Sequence, residues 1–153
     1  MKGPLLGVLA PMGLGVLVGC SSGDPGEETM PNCLTEPANL DCAPAYGLAA
    51  DGVSIEPTFQ QVFDNTLPRC AATAGCHRAP NPPHGLAMDD IDAAYQGLLD
   101  AGQDRVNPGD VRCGKLIVRL ESVGKPWSMP PGDHLRDAEL CSLRHWIANG
   151  AKR

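Results

Sequence analysis

Proline and glycine residues divide this chain into short stretches, so any regular structure that it forms must consist of short elements. The 153-residue chain contains 18 glycines and 15 prolines, and from residue 56 onward they separate four apolar segments with helical spacing. The four segments begin near Pro57, at Asp89 or Asp90, at Asp110 and near Arg136. No strand-like alternation of apolar and polar residues occurs between them. The sequence therefore predicts a small all-α domain over 56–151, with about four helices and long Pro/Gly-rich loops over 69–88 and 122–135.

The apolar residues in these segments fall on single helical faces. The clearest stripes are Phe59, Val62, Phe63 and Thr66 in the first segment, Cys113, Leu116, Ile117 and Leu120 in the third, and Leu140, Leu143 and Ile147 in the last. Only 4% of the residues are aromatic, so the core must consist mainly of Leu, Ile, Val and Ala. We expect Phe59 or Phe63 to pack against Trp146, which joins the first helix to the last.

The N-terminus has the organisation of an export signal. Residues 1–19 combine Lys2 with an apolar run that is too short and too rich in glycine for a good membrane-spanning helix. Residues 17–20 resemble the bacterial lipobox, which implies that Cys20 is lipid-modified and becomes the mature N-terminus on a membrane surface. Ser21 is typical of outer-membrane lipoproteins, so we expect the protein to face the periplasm or the cell surface. A simple secretory peptide with an incidental cysteine is the alternative.

The next segment, 20–55, is predicted to be a disordered linker. It is rich in proline, glycine and acidic residues and has no helical period, so it offers little apolar surface to offset the entropy of ordering. Cys33 and Cys42 lie nine residues apart within it, and a disulfide between them would close a small local loop.

The remaining cysteines point to chemistry of the oxidising space outside the cytoplasm. Of seven cysteines, six remain once Cys20 is set aside, and in an exported protein such residues form disulfides or attach haem. Cys113 and Cys141 lie on two predicted neighbouring helices, and we expect a disulfide between them. A zinc site is the weaker explanation because no Cys-X2-Cys pair occurs. The net charge of −6 and the absence of any basic cluster exclude nucleic acid as a partner.

Two loop motifs carry a family resemblance. The first loop contains Cys70-Ala-Ala-Thr-Ala-Gly-Cys76-His77 and the second contains Met129-Pro130-Pro131-Gly132. Together they resemble class I cytochrome c, in which two cysteines attach one haem c and the following histidine binds its iron. The resemblance implies that Cys70 and Cys76 are thioether anchors, that His77 is the proximal iron ligand and that Met129 is the distal one. Residues 106–110 and 146–151 are similar to small haem-domain lipoproteins of exported bacterial systems.

This resemblance implies a membrane-anchored electron-transfer protein and not an enzyme. Two axial protein ligands leave iron no open position for a substrate, and no carboxylate pair, phosphate loop or nucleophile motif occurs elsewhere. The implied partners are a periplasmic or membrane redox protein and the membrane itself, reached through the lipid anchor.

The cysteine spacing departs from the family pattern. Five residues separate Cys70 from Cys76 where the family has two, so three outcomes stay open: both thiols attach haem, Cys76 alone attaches it, or the two cysteines form a disulfide. His84, His134 and His145 are other candidates for the distal position, with His134 nearest to Met129 in sequence. The alternative function is a haem-free, disulfide-stabilised binding or structural lipoprotein of the same fold.

Overall fold

The computed structural model describes residues 29–73 and 75–153. This part of the chain contains four helices and no β-strand, which confirms the all-α prediction. The helices are α1 (Phe59–Asn65), α2 (Ile91–Leu98), α3 (Lys115–Glu121) and α4 (Asp137–Ala148), with short 3-10 turns at Leu67–Arg69 and Pro83–Gly85. None of the described helices has the length and apolar content needed to cross a bilayer. The predicted signal peptide and the Cys20 lipidation site lie outside the described residues.

The first and last helices pack through aromatic side chains at the centre of the core. Thr58 caps α1, because its hydroxyl accepts a hydrogen bond from the Gln61 N–H while the Gln61 side chain accepts one from the Thr58 N–H. This cap directs Phe59 inward, where its ring centroid lies 5.3 Å from that of Trp146 and 4.9 Å from that of Tyr95. The predicted contact between Phe59 and Trp146 is thereby confirmed.

The start of α4 is stabilised by a buried carboxylate. Glu139 is 2% exposed, and its carboxylate accepts hydrogen bonds from the Arg136 N–H, the Arg136 guanidinium and the Arg69 guanidinium. The helix therefore begins after an arginine, although the usual cap is a small polar residue. At the other end Gly150 has a φ of +91°, in agreement with the predicted stop.

The start of α3 differs from the prediction. Asp110 was expected to cap this helix, but its carboxylate accepts hydrogen bonds from the backbone N–H groups of Arg112 and Cys113 within a preceding turn. The helix begins only after Gly114, whose φ of +114° excludes a helical conformation. A local side-chain hydrogen bond has thus replaced the first helical turn.

The expectation of a disordered linker over 20–55 is wrong for the part that the structure describes, 29–55. Its backbone donates hydrogen bonds from Leu34 and Ala38 to the chain just before α3, and from Ala45 to the carbonyl of Ala138 in α4. Composition predicted disorder because this segment has little apolar surface of its own. It is ordered instead by attachment to the surface of the helical domain.

Both predicted disulfide pairings are also wrong. Cys33 pairs with Cys113 and Cys42 pairs with Cys141, whereas the sequence predicted Cys33 with Cys42 and Cys113 with Cys141. Because the 29–55 segment lies against the helical domain, each of its cysteines is adjacent to a cysteine of that domain. Cys113 precedes α3 and does not belong to its apolar stripe.

Candidate ligand-binding site

A largely apolar cavity of about 350 Å³ lies between the two long loops. Its walls come from the 69–88 loop, the end of α2, α3 and the 122–135 loop. The apolar side chains of these walls include Leu86, Met88, Leu98, Leu116 and Leu120. A volume in this range is typical of sites that enclose a small molecule or a cofactor.

All four residues that the sequence singled out for cofactor binding line this cavity. Cys70, Cys76 and His77 come from the first loop and Met129 comes from the second. The fold therefore brings together two motifs that are 52 residues apart in sequence, from His77 to Met129. Of the other histidines, His84 lines the same cavity and His134 and His145 do not.

His77 is held in one orientation and one protonation state. Its backbone N–H donates to the Cys70 carbonyl and its carbonyl accepts from the Met88 N–H, while its Nδ1 lies 3.0 Å from the Leu86 carbonyl oxygen. A carbonyl oxygen only accepts, so Nδ1 carries the proton and Nε2 has a lone pair. Burial lowers the pKa of His77, an effect that the hydrogen bond to Leu86 partly opposes. The ring is therefore neutral and has a nitrogen lone pair available for a metal.

Met129 is positioned by the C-terminal part of α3. Its backbone N–H donates to the Arg119 carbonyl at 3.2 Å, and the Arg119 guanidinium donates to the Trp127 carbonyl at 3.0 Å. These two bonds fix the loop on both sides of Ser128. Met129, which carries a soft thioether, thus lines the cavity from a loop that is attached to a helix.

The indole N–H of Trp127 in this loop lacks a partner. Among the described residues, Trp127 Nε1 is the sole buried side-chain nitrogen or oxygen without a hydrogen bond. A buried donor of this kind is costly unless something else satisfies it. The loop that carries Met129 is therefore left with an unsatisfied donor in the protein alone.

The two cysteines of the cavity differ in state. Cys70 is a free thiol, and burial raises its pKa to about 11. Cys76 is buried, with its sulfur 3.0 Å from the Thr73 hydroxyl, and it is not a free thiol in this structure. The alternative in which Cys70 and Cys76 form a disulfide is therefore wrong.

Sequence reasoning missed the charged residues of the cavity. Arg105 and Arg119 line it, and none of the described aspartates or glutamates does. Arg119 follows Leu116 by three residues on α3, so the helical period could have placed it on the same face. Nothing in the sequence around Arg105 indicates that its side chain is buried.

Two other places were candidates for a site and offer less. A more open depression of about 660 Å³ lies between Pro57 and the chain end near Trp146, and it carries none of the predicted ligands. Cys42, Cys141 and His145 place one ligand atom each within 4.8 Å of the others, but both sulfurs belong to the disulfide between these cysteines. The cavity between the loops is therefore the candidate site.

No protein-family model, no curated protein and no solved structure matches this chain.

Proposed function

We propose that this protein binds one haem in the cavity between the loops and transfers electrons, with His77 and Met129 as the residues that would hold its iron. The observation that carries the proposal is the convergence of His77, Met129, Cys70 and Cys76 on one apolar cavity. These are the residues that the resemblance to class I cytochrome c selects.

The donor groups suit iron in a porphyrin. His77 has its proton on Nδ1, bound to the Leu86 carbonyl, and a backbone acceptor of this kind is the usual outer partner of a metal-bound imidazole. The thioether of Met129 is soft and favours Fe(II), which raises the reduction potential. The leucine side chains around them exclude water, and exclusion of water raises the potential further by disfavouring the ferric charge.

The residues that would bind the iron determine whether the site suits electron transfer or catalysis. Haem, when bound, supplies a one-electron couple. If both His77 and Met129 held the iron, the protein itself would supply the ligands that oxygen or a substrate would otherwise provide. This is the reason to propose an electron carrier rather than an enzyme.

Covalent attachment is proposed through Cys70 first. Its thiol is free and lines the cavity. Addition of this thiol to a haem vinyl group places sulfur on one carbon and hydrogen on the other, so no oxidant is needed. Cys76 would take part as the second anchor only in its reduced form.

The proposed location is the surface of the outer membrane, facing the periplasm or the cell exterior, with Cys20 as the lipid anchor. The proposed partner is a periplasmic or membrane redox protein. Expression with a radiolabelled fatty acid tests the anchor, since label is expected in the natural chain and lost in the Cys20→Ala variant.

The test of haem binding uses the full chain, produced in cells that attach haem to exported proteins. The pyridine haemochrome spectrum should show one haem per chain, and magnetic circular dichroism should show histidine and methionine ligation. His77→Ala should abolish the low-spin spectrum, and Met129→Leu should remove the methionine signature. His134→Ala is the matched control, because His134 is exposed and does not line the cavity. A chain without haem, or one whose spectrum is unchanged by both ligand variants, contradicts the proposal.

The second candidate is a haem-free, disulfide-stabilised binding or structural lipoprotein. The observation that favours it is the pair of disulfides, Cys33–Cys113 and Cys42–Cys141, which cross-link the described part of the chain over 80 and 99 residues. Cross-links of this length stabilise a small domain without a cofactor. If the purified chain without haem were as stable to unfolding as the chain with haem, that result would favour this candidate.

A further inference from the structure

The charge around the cavity is one-sided. Among residues 29–73 and 75–153, four cationic residues line it, Arg69, Arg105, Lys115 and Arg119, and no aspartate or glutamate does. The chain as a whole has a net charge of −6, so this concentration of positive charge is opposite to the average of the protein.

Arg105 is a buried cation without a counter-ion. Its residue is 8% exposed, and its guanidinium donates to the carbonyl oxygens of Gly97 at 2.7 Å and His84 at 2.6 Å, and to the Gln103 amide oxygen at 3.5 Å. All three acceptors are neutral, and Arg105 forms no ion pair with any described residue. A buried charge that lacks an opposite charge is costly for the folded protein.

Arg119 is in a similar position on α3. It is half-buried, it donates to the Trp127 carbonyl, and it too forms no ion pair in the described part of the chain. Burial lowers the pKa of its guanidinium, and no nearby carboxylate opposes this shift. Two cations of the same cavity are therefore left without an anionic partner among the residues that the structure describes.

Arg144 and Arg69, by contrast, are paired with carboxylates of the described residues. Arg144 has a side chain that is 14% exposed, and it binds the Glu121 carboxylate through two nitrogens, at 2.6 and 2.8 Å. Arg69, at the edge of the cavity, is paired with Glu139 and Asp133. Among the described arginines that are not exposed, Arg105 and Arg119 are therefore the two that form no ion pair with a described residue.

We infer that Arg105 and Arg119 bind the carboxylates of an apolar ligand that occupies the cavity. This inference rests on the proposed function, in which those carboxylates are the haem propionates, and it names the residues that recognise them. A planar guanidinium binds a carboxylate through paired hydrogen bonds, and leucine side chains cover the apolar body of the ligand. A fatty acid has the same chemistry, a carboxylate on an apolar body, and the experiment separates it from a porphyrin.

The experiment measures binding to the full chain in detergent, purified from cells that lack the machinery for covalent haem attachment. The probes are iron-free protoporphyrin IX, its dimethyl ester, haemin and palmitate, each titrated against a micelle blank. We expect the ester to bind at least about tenfold more weakly than the free acid, as loss of a charge-assisted hydrogen bond implies. Arg119→Gln should weaken binding of the acid by a similar factor and leave binding of the ester unchanged, and Arg119→Lys should recover part of the loss.

Arg112→Gln is the matched control. Arg112 is exposed, donates to the Leu34 carbonyl and does not line the cavity, so its loss should not change the preference for the acid. Arg105→Gln is compared only after near-ultraviolet circular dichroism shows native packing, because Arg105 also joins two backbone segments. Arg119→Gln makes the test independent of that variant.

The outcomes separate this inference from the proposed function. Equal binding of the acid and the ester, or equal effects of Arg119→Gln and Arg112→Gln, overturns the inference even if haemin binds with His77 and Met129 as ligands. Arginine-dependent binding of palmitate without any binding of haemin supports the inference and overturns the proposed function. Failure of all four probes to bind overturns both.

Discussion

The Nδ1 atom of His77 lies 3.0 Å from the carbonyl oxygen of Leu86, nine residues further along the same loop. This bond closes the loop on itself and fixes the proton on one ring nitrogen. The imidazole is also partly buried, and burial lowers its pKa. The hydrogen bond to Leu86 therefore orients the proposed ligand, while burial, which this bond partly opposes, lowers its pKa.

Stability should decrease as the pH falls through the titration range of His77. In the unfolded chain the imidazole has its ordinary pKa of about 6.5, and in the folded protein that pKa is lower. Below the ordinary value the unfolded state therefore binds more protons than the folded state, which favours unfolding. Urea unfolding of the haem-free chain, from about pH 8 to about pH 5, should show a smaller pH dependence in His77→Gln than in the natural chain. An unchanged slope in His77→Gln contradicts the prediction.

Helices and their contacts could be predicted where a local pattern determines them. Phe59 follows a capping threonine at the start of an apolar stripe, and Trp146 lies in the stripe of the last helix, so both could be placed in the core. Asp110 shows the limit of such reasoning, because the same carboxylate can cap a helix or a turn. The choice depended on the backbone of Gly114, which lies close to the Arg105 carbonyl in the folded chain.

Long-range pairing could not be predicted in the same way. Six cysteines allow 15 connectivities, and the choice among them depends on where the 29–55 segment lies, which its composition did not indicate. The same distinction between local and long-range information applies to the residues of the candidate site. Cys70, Cys76, His77 and Met129 were found because they belong to short motifs. Leu86 contributes its backbone carbonyl and Arg105 contributes a buried side chain. No local sequence pattern indicates either role.

Loss of the Glu139 carboxylate should destabilise the protein. It accepts hydrogen bonds from two arginines at the start of α4, and the bond from Arg136 is the main reason that its pKa is lowered. Glu139→Gln should lower the free energy of unfolding at neutral pH by about 1–3 kcal/mol. Because the folded-state pKa is lowered, the difference should shrink as the pH falls below the ordinary value of about 4.3.

Asp137→Asn provides the control for this change. Asp137 is in the same first turn of α4 but is exposed, so its loss should cost only about 0.3–1 kcal/mol through the helix dipole. Urea unfolding of both variants gives the comparison. Equal destabilisation by the two substitutions would show that the arginine bonds of Glu139 contribute nothing specific.

Gly114 should not tolerate a side chain. Its φ is +114°, and a Cβ atom there would lie 3.1 Å from the Arg105 carbonyl oxygen. Gly114→Ala should therefore lower the free energy of unfolding by about 1–3 kcal/mol through backbone strain and this contact. Gly109→Ala is the comparison, since Gly109 has a φ of +86° but open space around it. Thermal unfolding should rank Gly114→Ala as the less stable variant, and the reverse order would contradict the role given to the carbonyl.

The disulfide pairing can be read directly from peptides. Cleavage at acidic residues cuts after Glu36 or beside Asp41 and separates Cys33 from Cys42, so a non-reduced digest should contain the cross-links Cys33–Cys113 and Cys42–Cys141. A peptide that joins Cys33 to Cys42 is inconsistent with the structure.

Replacing either pair of cysteines by serines should lower the free energy of unfolding by about 3–5 kcal/mol, since each disulfide constrains a long loop of the unfolded chain. The double replacement should lower the free energy of unfolding by more than the sum of the two single replacements, because the two loops overlap and each bond restricts the unfolded chain less while the other is intact.

The thiol of Cys70 should react slowly while the protein is folded. Burial raises its pKa to about 11, against about 8.5 for a free cysteine, and the reactive species is the thiolate. At neutral pH this difference reduces the thiolate fraction by roughly two to three orders of magnitude. Alkylation of the native, haem-free chain should therefore be at least about 100-fold slower than in denaturant, with Cys70→Ala as the control that shows no labelling at this site. If native labelling were as fast as in denaturant, the thiol would be accessible and its place in the cavity wall would be wrong.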